Sequence, residues 1–371
     1  MTMVSDLPQD LVEEILSRVP ITCLRAVRST CKRWNGLFKD PSFRKKHSGK
    51  AAKDSLVVMM NGYRVCLMSV NLNGIHNHKD LVAPSIKQIG EFNQGKICRV
   101  FHCNGLLLCL TNDCITSRLV VWNPYLGQTR WIEPRTAYDK SDMFSIGYDN
   151  NNNNHKILRL FYELDSYINY EIYDFKANSW RIIPTSYIIV SNRRGVSLKG
   201  NTYFLARKIF EVEEGVEDYC LLCFDFTKER FGPPLHLPFH YHPVDDDTVL
   251  STVREEQLAV LFESMNTHKI HIWITTKIDP NTVSWNKFLA VRTETIIDLY
   301  SFFDTRSFFV DEEKKVAVIC DIQKLKPNRI DMYQKACIVG EKGYIEEVNL
   351  GELRYCCPLV CSVRFQLPSL V

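Results

Sequence analysis

Val120-Val121-Trp122-Asn123, followed by Trp131-Ile132, returns along the chain in three further forms. These are Glu171-Ile172-Tyr173-Asp174 before Trp180-Arg181-Ile182, Leu222-Cys223-Phe224-Asp225 before Phe231, and His271-Ile272-Trp273 before Trp285. The aromatic anchors Trp122, Tyr173, Phe224 and Trp273 lie 51, 51 and 49 residues apart. A fixed period of this length marks a supersecondary unit that cannot bury its apolar face alone and stacks on copies of itself. Around the anchors, short runs rich in Val, Ile, Leu, Phe and Tyr alternate with turn residues, the pattern of strands. Such runs cover 56–60, 106–110, 119–122, 157–161, 170–175, 203–206, 221–226, 258–262, 270–275 and 316–319. Asn61-Gly62, Asn104-Gly105, Lys199-Gly200-Asn201 and the segment 311–315 supply tight connections between them.

A period near 50 is kelch-like, with one four-stranded blade per unit. The 321 residues behind residue 50 hold about six such units. Residues 307–350 form the sixth, and the apolar tail 356–365 closes the ring beside the first, protecting edge strands that would otherwise stay open. The expected fold is therefore an all-β C-terminal domain over 51–371, a kelch-like β-propeller of about six blades. An antiparallel β-sandwich is the alternative, because four matches to so short a pattern arise partly by chance. In the propeller, Trp122, Trp131, Trp180, Trp273 and Trp285 belong to the core between blades.

The first fifty residues read differently. Asp6, Pro8 and Asp10 signal a helix start, with a capping carboxylate, a proline tolerated in the first turn and negative charge at the positive end of the dipole. Leu7, Leu11, Ile15 and Val19 recur every four residues, Val12 and Leu16 widen the stripe, and Pro20 stops it. Leu24, Val27, Cys31, Trp34 and Phe38 then fall at intervals of three and four, with Arg25, Arg28, Lys32 and Arg33 off the stripe. A small all-α domain of three helices is expected over 1–50. Some forty residues of short helices cannot bury two apolar stripes on each other and stand alone. Part of that surface packs either on the rest of the chain or on a partner protein.

The spacing Leu7-Pro8-x-Asp10-Leu11-Val12-x-Glu14-Ile15-Leu16-x-Arg18-Val19-Pro20, then Leu24-Arg25-x-Val27-Arg28, then Cys31-Lys32-x-Trp34 and Phe43, resembles the plant-type F-box over residues 3–47 without a gap. Val12 and Val19 replace commoner leucines and Thr30 stands where valine is frequent, all small changes of volume. The β region resembles the plant F-box-associated domain over about 95–300, in Asn104-Gly105-Leu106-Leu107, Val121-Trp122-Asn123-Pro124, Ile146-Gly147-Tyr148-Asp149 and the stretch from Tyr173 to Trp180. The resemblance implies that the F-box grips a Skp-type adaptor, and through it cullin and RING subunits of a ubiquitin ligase, while the β domain recruits a protein substrate. Carried over by position, Leu7, Pro8, Leu11, Ile15, Leu16, Val19, Pro20, Leu24, Val27, Cys31 and Trp34 form the adaptor contact and its support. It implies no catalytic residue and no cofactor.

Composition agrees with a folded, non-membrane protein. Hydrophobic residues make up 45% and charged residues 24%, ordinary for a globular chain. The net charge of +3 gives no argument for nucleic acid. Residues 1–53 carry eleven Lys/Arg against five Asp/Glu, a net of +6, which suits either a solvated helix surface or a face that steers an acidic partner. No apolar run approaches the roughly 18–20 residues that cross a bilayer. Met1-Thr2-Met3-Val4-Ser5-Asp6 opens without the basic and apolar regions of a secretory leader. Most of the fourteen cysteines sit in apolar runs (Cys66, Cys109, Cys220, Cys320, Cys337), where a reduced thiol packs as a small hydrophobe. Cytoplasm or nucleus is the expected location.

One spacing imitates a metal site. Cys220-x-x-Cys223, twelve residues, His236, three residues, His240 matches a two-Cys two-His zinc finger. Such a finger needs both histidines on a helix, whereas Gly232-Pro233-Pro234 and Pro238 interrupt this segment, and the cysteines fall in a strand that turns them to opposite faces. No metal is expected. The loop itself gathers His236, His240, His242 and the acidic segment 245–247, and reads either as a polar connection or as a substrate-recognition loop. The polar tract 150–154 reads as a loop. There is no Gly-rich phosphate loop, no Gly-x-Ser-x-Gly elbow and no helix with metal-ligand His spacing. A small-ligand or glycan sensor, an enzyme on a β scaffold, and an adaptor-binding protein outside any ligase stand as alternatives.

Overall fold

The computed structural model describes residues 7–19, 23–40, 42–43, 46–47, 55–61, 63–72, 85–111, 117–139, 141–162, 168–183, 189–190, 194–207, 219–241, 246–264, 266–267, 269–292, 306–324, 332–341, 345–353 and 360–362. Among the described residues, three short helices, α1 (Gln9–Leu16), α2 (Leu24–Thr30) and α3 (Lys32–Leu37), and helical turns at 42–43 and 46–47 precede twenty-five strands. Blade one contains β1 (Ser55–Asn61), β2 (Arg64–Asn71) and β3 (Ser85–Phe92). Blade two is β4 (Ile97–Cys103), β5 (Leu106–Thr111), β6 (Leu119–Asn123) and β7 (Gln128–Ile132). Blade three is β8 (Met143–Asp149), β9 (Asn154–Tyr162), β10 (Ile168–Asp174) and β11 (Ser179–Ile183). Blade four has β12 (Ile189–Val190) and β13 (Val196–Leu198) on β14 (Asn201–Arg207), then β15 (Tyr219–Asp225) and β16 (Arg230–Phe231). Blade five is β17 (Asp246–Val253), β18 (Gln257–Ser264), β19 (Lys269–Asp279) and β20 (Thr282–Arg292). Blade six is β21 (Ser307–Asp311), β22 (Val316–Lys324), β23 (Met332–Gly340) and β24 (Ile345–Leu353). The chain then returns as β25 (Val360–Ser362), which pairs antiparallel with β1 and completes blade one.

Six separate antiparallel sheets make a six-bladed propeller and exclude the sandwich, whose two sheets would each run through many consecutive strands. The closing strand falls within the tail expected to close the ring, and residues 307–350 fall in blade six. The repeat has a structural cause. Trp122, Tyr173, Phe224 and Trp273 occupy the third strand of blades two to five, where each faces the preceding blade. One apolar cluster fills each of the six junctions between neighbouring blades. Two junctions carry the same polar staple. The Trp180 indole N–H donates to the Glu133 carbonyl at 2.8 Å and that of Trp285 to the His236 carbonyl at 3.0 Å, each reaching just past the outer strand of the blade before. Trp131 departs from the expected core placement. It pairs in register with Val120, not with the anchor Trp122, and stays 39% exposed beneath the Arg118 guanidinium.

Tight turns form where the sequence places them. Asn104 and Gly105 take φ of 50° and 80°, and Lys199 and Gly200 take 50° and 83°, the left-handed pair that matches strand twist in a two-residue hairpin. In blades two to six the first-to-second and third-to-fourth connections are all two to four residues long, while the intervening ones are mostly longer, as at 112–118, 133–142, 208–218, 232–245 and 293–306. Alternating antiparallel strands put the short connections at one end of each blade and the long ones at the other. At the short-turn end, His102 on β4 comes within 3.4 Å of Glu255 in the β17–β18 turn, so blades two and five meet across the axis.

A buried ion cluster braces blade three. Arg159 donates to Asp142, Glu171 and the Ala137 carbonyl at 2.8, 2.8 and 2.9 Å, and lies over the rings of Tyr138 and Phe161. Every charge in it is paired, as burial requires.

Candidate functional site

The helical lobe meets the propeller at the junction of blades one and two. α1 begins behind Pro8, which accepts no side-chain role as a cap, and ends at Ser17; Asp6 and Pro20, read as its start and stop, lie outside the described residues. The stripe over 24–38 is divided into two helices at Cys31, whose extended backbone (φ −153°) starts α3 and whose thiol accepts the Trp34 backbone N–H at 3.4 Å. Asp40 caps the next turn, accepting the Phe43 N–H at 2.9 Å.

The widened stripe of α1 is really two faces. Val12 and Leu16 are 1% and 2% exposed and join Phe38 and Phe43 in one cluster with Val58, Met60, Trp122, Tyr125 and Leu126 of the propeller. Phe38 and His47 both meet Tyr125 edge to face, at 6.3 and 5.6 Å between ring centroids. His47 Nε2 donates to the Val19 carbonyl at 2.8 Å, and burial, partly offset by that bond, holds its pKa below the ordinary value. Arg28 turns inward as well. It donates to the Tyr125 carbonyl at 2.8 Å and to Asn35 at 3.1 Å, so this cation of the basic segment anchors the lobe instead of steering a partner.

Leu11 and Ile15 point the other way. They are 52% and 48% exposed, one turn apart on a face about 100° around the helix from Val12 and Leu16. Pro8 and Cys31 are exposed beside them in sequence, while Leu7, Val19, Val27 and Trp34 are half-buried against the cluster. Of the residues carried over as adaptor contact, Leu16 thus lies within the chain's own core, where it supports the face. Pro20 and the side chain of Leu24 lie outside the described residues. Two apolar side chains thus lie half open to water side by side on one short helix.

The loop 232–247 is less free than its sequence suggests. Gly232 donates to the Cys223 carbonyl at 2.8 Å, and Leu235 exchanges both backbone bonds with Leu221. The segment therefore continues the outer strand of blade four, interrupted where Pro233 and Pro234 have no N–H to give. Leu235, Leu237 and Phe239 pack inward, leaving His236 and His240 exposed; His242 lies outside the described residues. Cys220 and Cys223 pack into different clusters on opposite faces of β15, and burial pushes the Cys223 thiol up to about 12. Among the described residues, no group of three or more His, Cys, Asp or Glu is placed to hold a metal ion. Nor is any helix among them long and apolar enough to cross a membrane.

Comparison with known proteins places both lobes. Residues 4–46 match the F-box domain and residues 56–371 the F-box associated beta propeller domain. The chain is 53% identical over 365 residues to the Arabidopsis thaliana F-box protein At3g19560, across 98% of this chain and 97% of that protein. It is 49% identical over 391 residues to the F-box/kelch-repeat protein At3g13680 of the same plant, across 100% of this chain and 96% of that one. The second of these names joins an F-box to a kelch repeat, and the family names point to a non-catalytic adaptor role.

Proposed function

The chain belongs to the F-box proteins that carry an F-box-associated β-propeller, and from that premise we propose that it is the substrate-recognition subunit of an SCF-type cullin-RING ubiquitin ligase. The F-box, residues 1–50, binds a Skp-type adaptor, which links it to cullin and RING subunits. The β domain, residues 51–371, holds a target protein for ubiquitin transfer in the cytoplasm or nucleus and catalyses nothing itself. The observation that carries this reading is the outward pair Leu11 and Ile15, left half-exposed although Val12 and Leu16 of the same helix are sealed against the propeller.

Co-expression with a Skp-type adaptor tests it. The intact chain is expected to co-purify with adaptor and, on addition, with cullin and RING subunits. Replacing Leu7 and Pro8 together with Asp and Gly is expected to abolish co-purification while the propeller's melting transition persists. Undiminished adaptor capture by that variant removes the assignment.

A further inference from the structure

Blade five carries a row of cations that folding alone does not account for. Lys269 and Arg292 are direct cross-strand partners in β19 and β20, and both are exposed. Partners in a ladder stand about 5 Å apart between Cα atoms, and like charges directly opposite destabilise a sheet. Two places along β19 on the same face, Lys287 of β20 pairs with Trp273 and lies over its ring at 4.7 Å. Between them sits His271, whose pKa is lowered first by burial and then by Lys287 and Lys269. Among the described residues none of the three cations forms an ion pair. The acid that shares this face is Asp246, buried on the innermost strand two strands from Lys269.

An apolar floor runs through the same patch. Phe239, from the loop after blade four, stacks on Phe262 at 4.2 Å and 25° between ring planes, and Phe262 lies parallel to His271 at 6.5 Å and 18°. Phe262 and His271 are register partners on this face, so Lys269 and Arg292 flank the column on one side and Lys287 on the other. Lys269 opens β19 and Arg292 ends β20, which places the patch at the end of the blade where the long connections gather.

We propose that this face of blade five is the substrate-docking surface, and that it takes an extended acidic segment of the target protein, carboxylates against Lys269, Arg292 and Lys287 and an apolar side chain against the Phe239–Phe262–His271 column. The inference rests on the receptor reading for what the bound segment is, while binding itself is measured without it. A bound anion removes the repulsion between Lys269 and Arg292, so the stability given up in the free protein returns on binding. An acidic peptide fits better than nucleic acid, because three cations on a chain of net charge +3 are few for a polyphosphate, whose binding draws on many phosphate contacts.

The test uses the full-length chain and a fluorescein-labelled peptide of about ten residues, Glu alternating with Ser around a central Phe, with a Lys-for-Glu peptide as its opposite, at an ionic strength low enough to leave exposed charges unscreened. Fluorescence anisotropy is expected to show saturable binding of the acidic peptide only, weakened by added salt. Lys269→Glu is expected to cost about tenfold or more in affinity and to leave the melting temperature equal or higher, since it turns a repulsive cross-strand pair into an attractive one. Lys96→Glu, in the connection between blades one and two, is expected to change nothing. The proposal is overturned if the acidic peptide does not bind, if both peptides bind alike, if Lys269→Glu binds as the parent does, or if a single-stranded oligonucleotide outcompetes the peptide. Adaptor capture is scored on the same samples. Peptide binding without adaptor capture sinks the receptor reading alone, and adaptor capture without peptide binding sinks this surface alone.

Discussion

Removing the outward face of α1 and removing its inward face have opposite consequences. Burying a whole Leu or Ile side chain contributes about 1.5–3 kcal/mol. Leu11 and Ile15 are 52% and 48% exposed in the free chain, so a partner that covers them gains roughly half of that from each. The pair together is worth about 1.5–3 kcal/mol, which converts to a roughly 10- to 150-fold weaker Kd when both become alanine. The same double change is expected to alter folding stability by only about 1 kcal/mol, because alanine is a better helix former and little buried volume is lost. Leu16, at 2% exposure, behaves differently: Leu16→Ala leaves a cavity between α1 and blade one and costs about 2–5 kcal/mol. Interferometry on immobilised Skp-type adaptor gives the first number and urea denaturation the second. Full-affinity capture by Leu11→Ala/Ile15→Ala, or capture lost through Leu16→Ala alone, would show that the face assignment is inverted.

Two further outcomes follow from buried charge. Arg159→Met leaves the carboxylates of Asp142 and Glu171, 2% and 0% exposed at the side chain, without their shared cation, and is expected to cost about 3–5 kcal/mol in urea denaturation; adding Asp142→Asn recovers part of it, and a loss under 1 kcal/mol would mean the cluster is hydrated. His155 is buried between Tyr148 and Phe175, and burial pushes its pKa down to about 4. The unfolded chain takes up that proton near 6.5, so stability is full above neutral pH and is lost as pH falls from 6.5 toward 4, by about 2 kcal/mol at pH 5. His155→Gln flattens this slope, and an unchanged slope refutes the cause.

The ring was readable because its period is set by one strand position. Trp122, Tyr173, Phe224 and Trp273 each close the third strand against the preceding blade, so packing forces similar residues at similar intervals. Trp131 misled for the same reason. Spacing alone does not distinguish the residue opposite the anchor, Thr129, from one two places on, and only the register settles it. In the helices, a four-residue spacing told that α1 is apolar but not which of Leu11 and Val12 faces inward, since the answer depends on Tyr125 and Leu126 more than a hundred residues away. The inward turn of Arg28 is hidden likewise, because its acceptor is a backbone carbonyl that carries no sequence signal. Lys269 and Arg292 are read as scattered surface charges until the β19–β20 register, whose two shifts cancel, makes them partners.

The helical lobe is too small to fill its own interior, and the structure divides the deficit. Blades one and two supply the part facing Val12, Leu16, Phe38 and Phe43, and Arg28 adds a hydrogen bond across the seam. The lobe is therefore seated on the ring rather than hung from it, and an adaptor on Leu11 and Ile15 would be held in one orientation to the propeller. Blade five lies three positions from blade two, across a ring whose axis is spanned by His102 and Glu255. A partner on α1 and an acidic segment on Lys269 and Arg292 thus occupy opposite sides of the ring and do not compete. In the proposed receptor that separation has a physical consequence. Target position relative to the ubiquitin-charged enzyme is set by the rigid diameter of the propeller, so loosening the seam by Arg28→Ala should leave both partners bound and still slow ubiquitin transfer to the captured target.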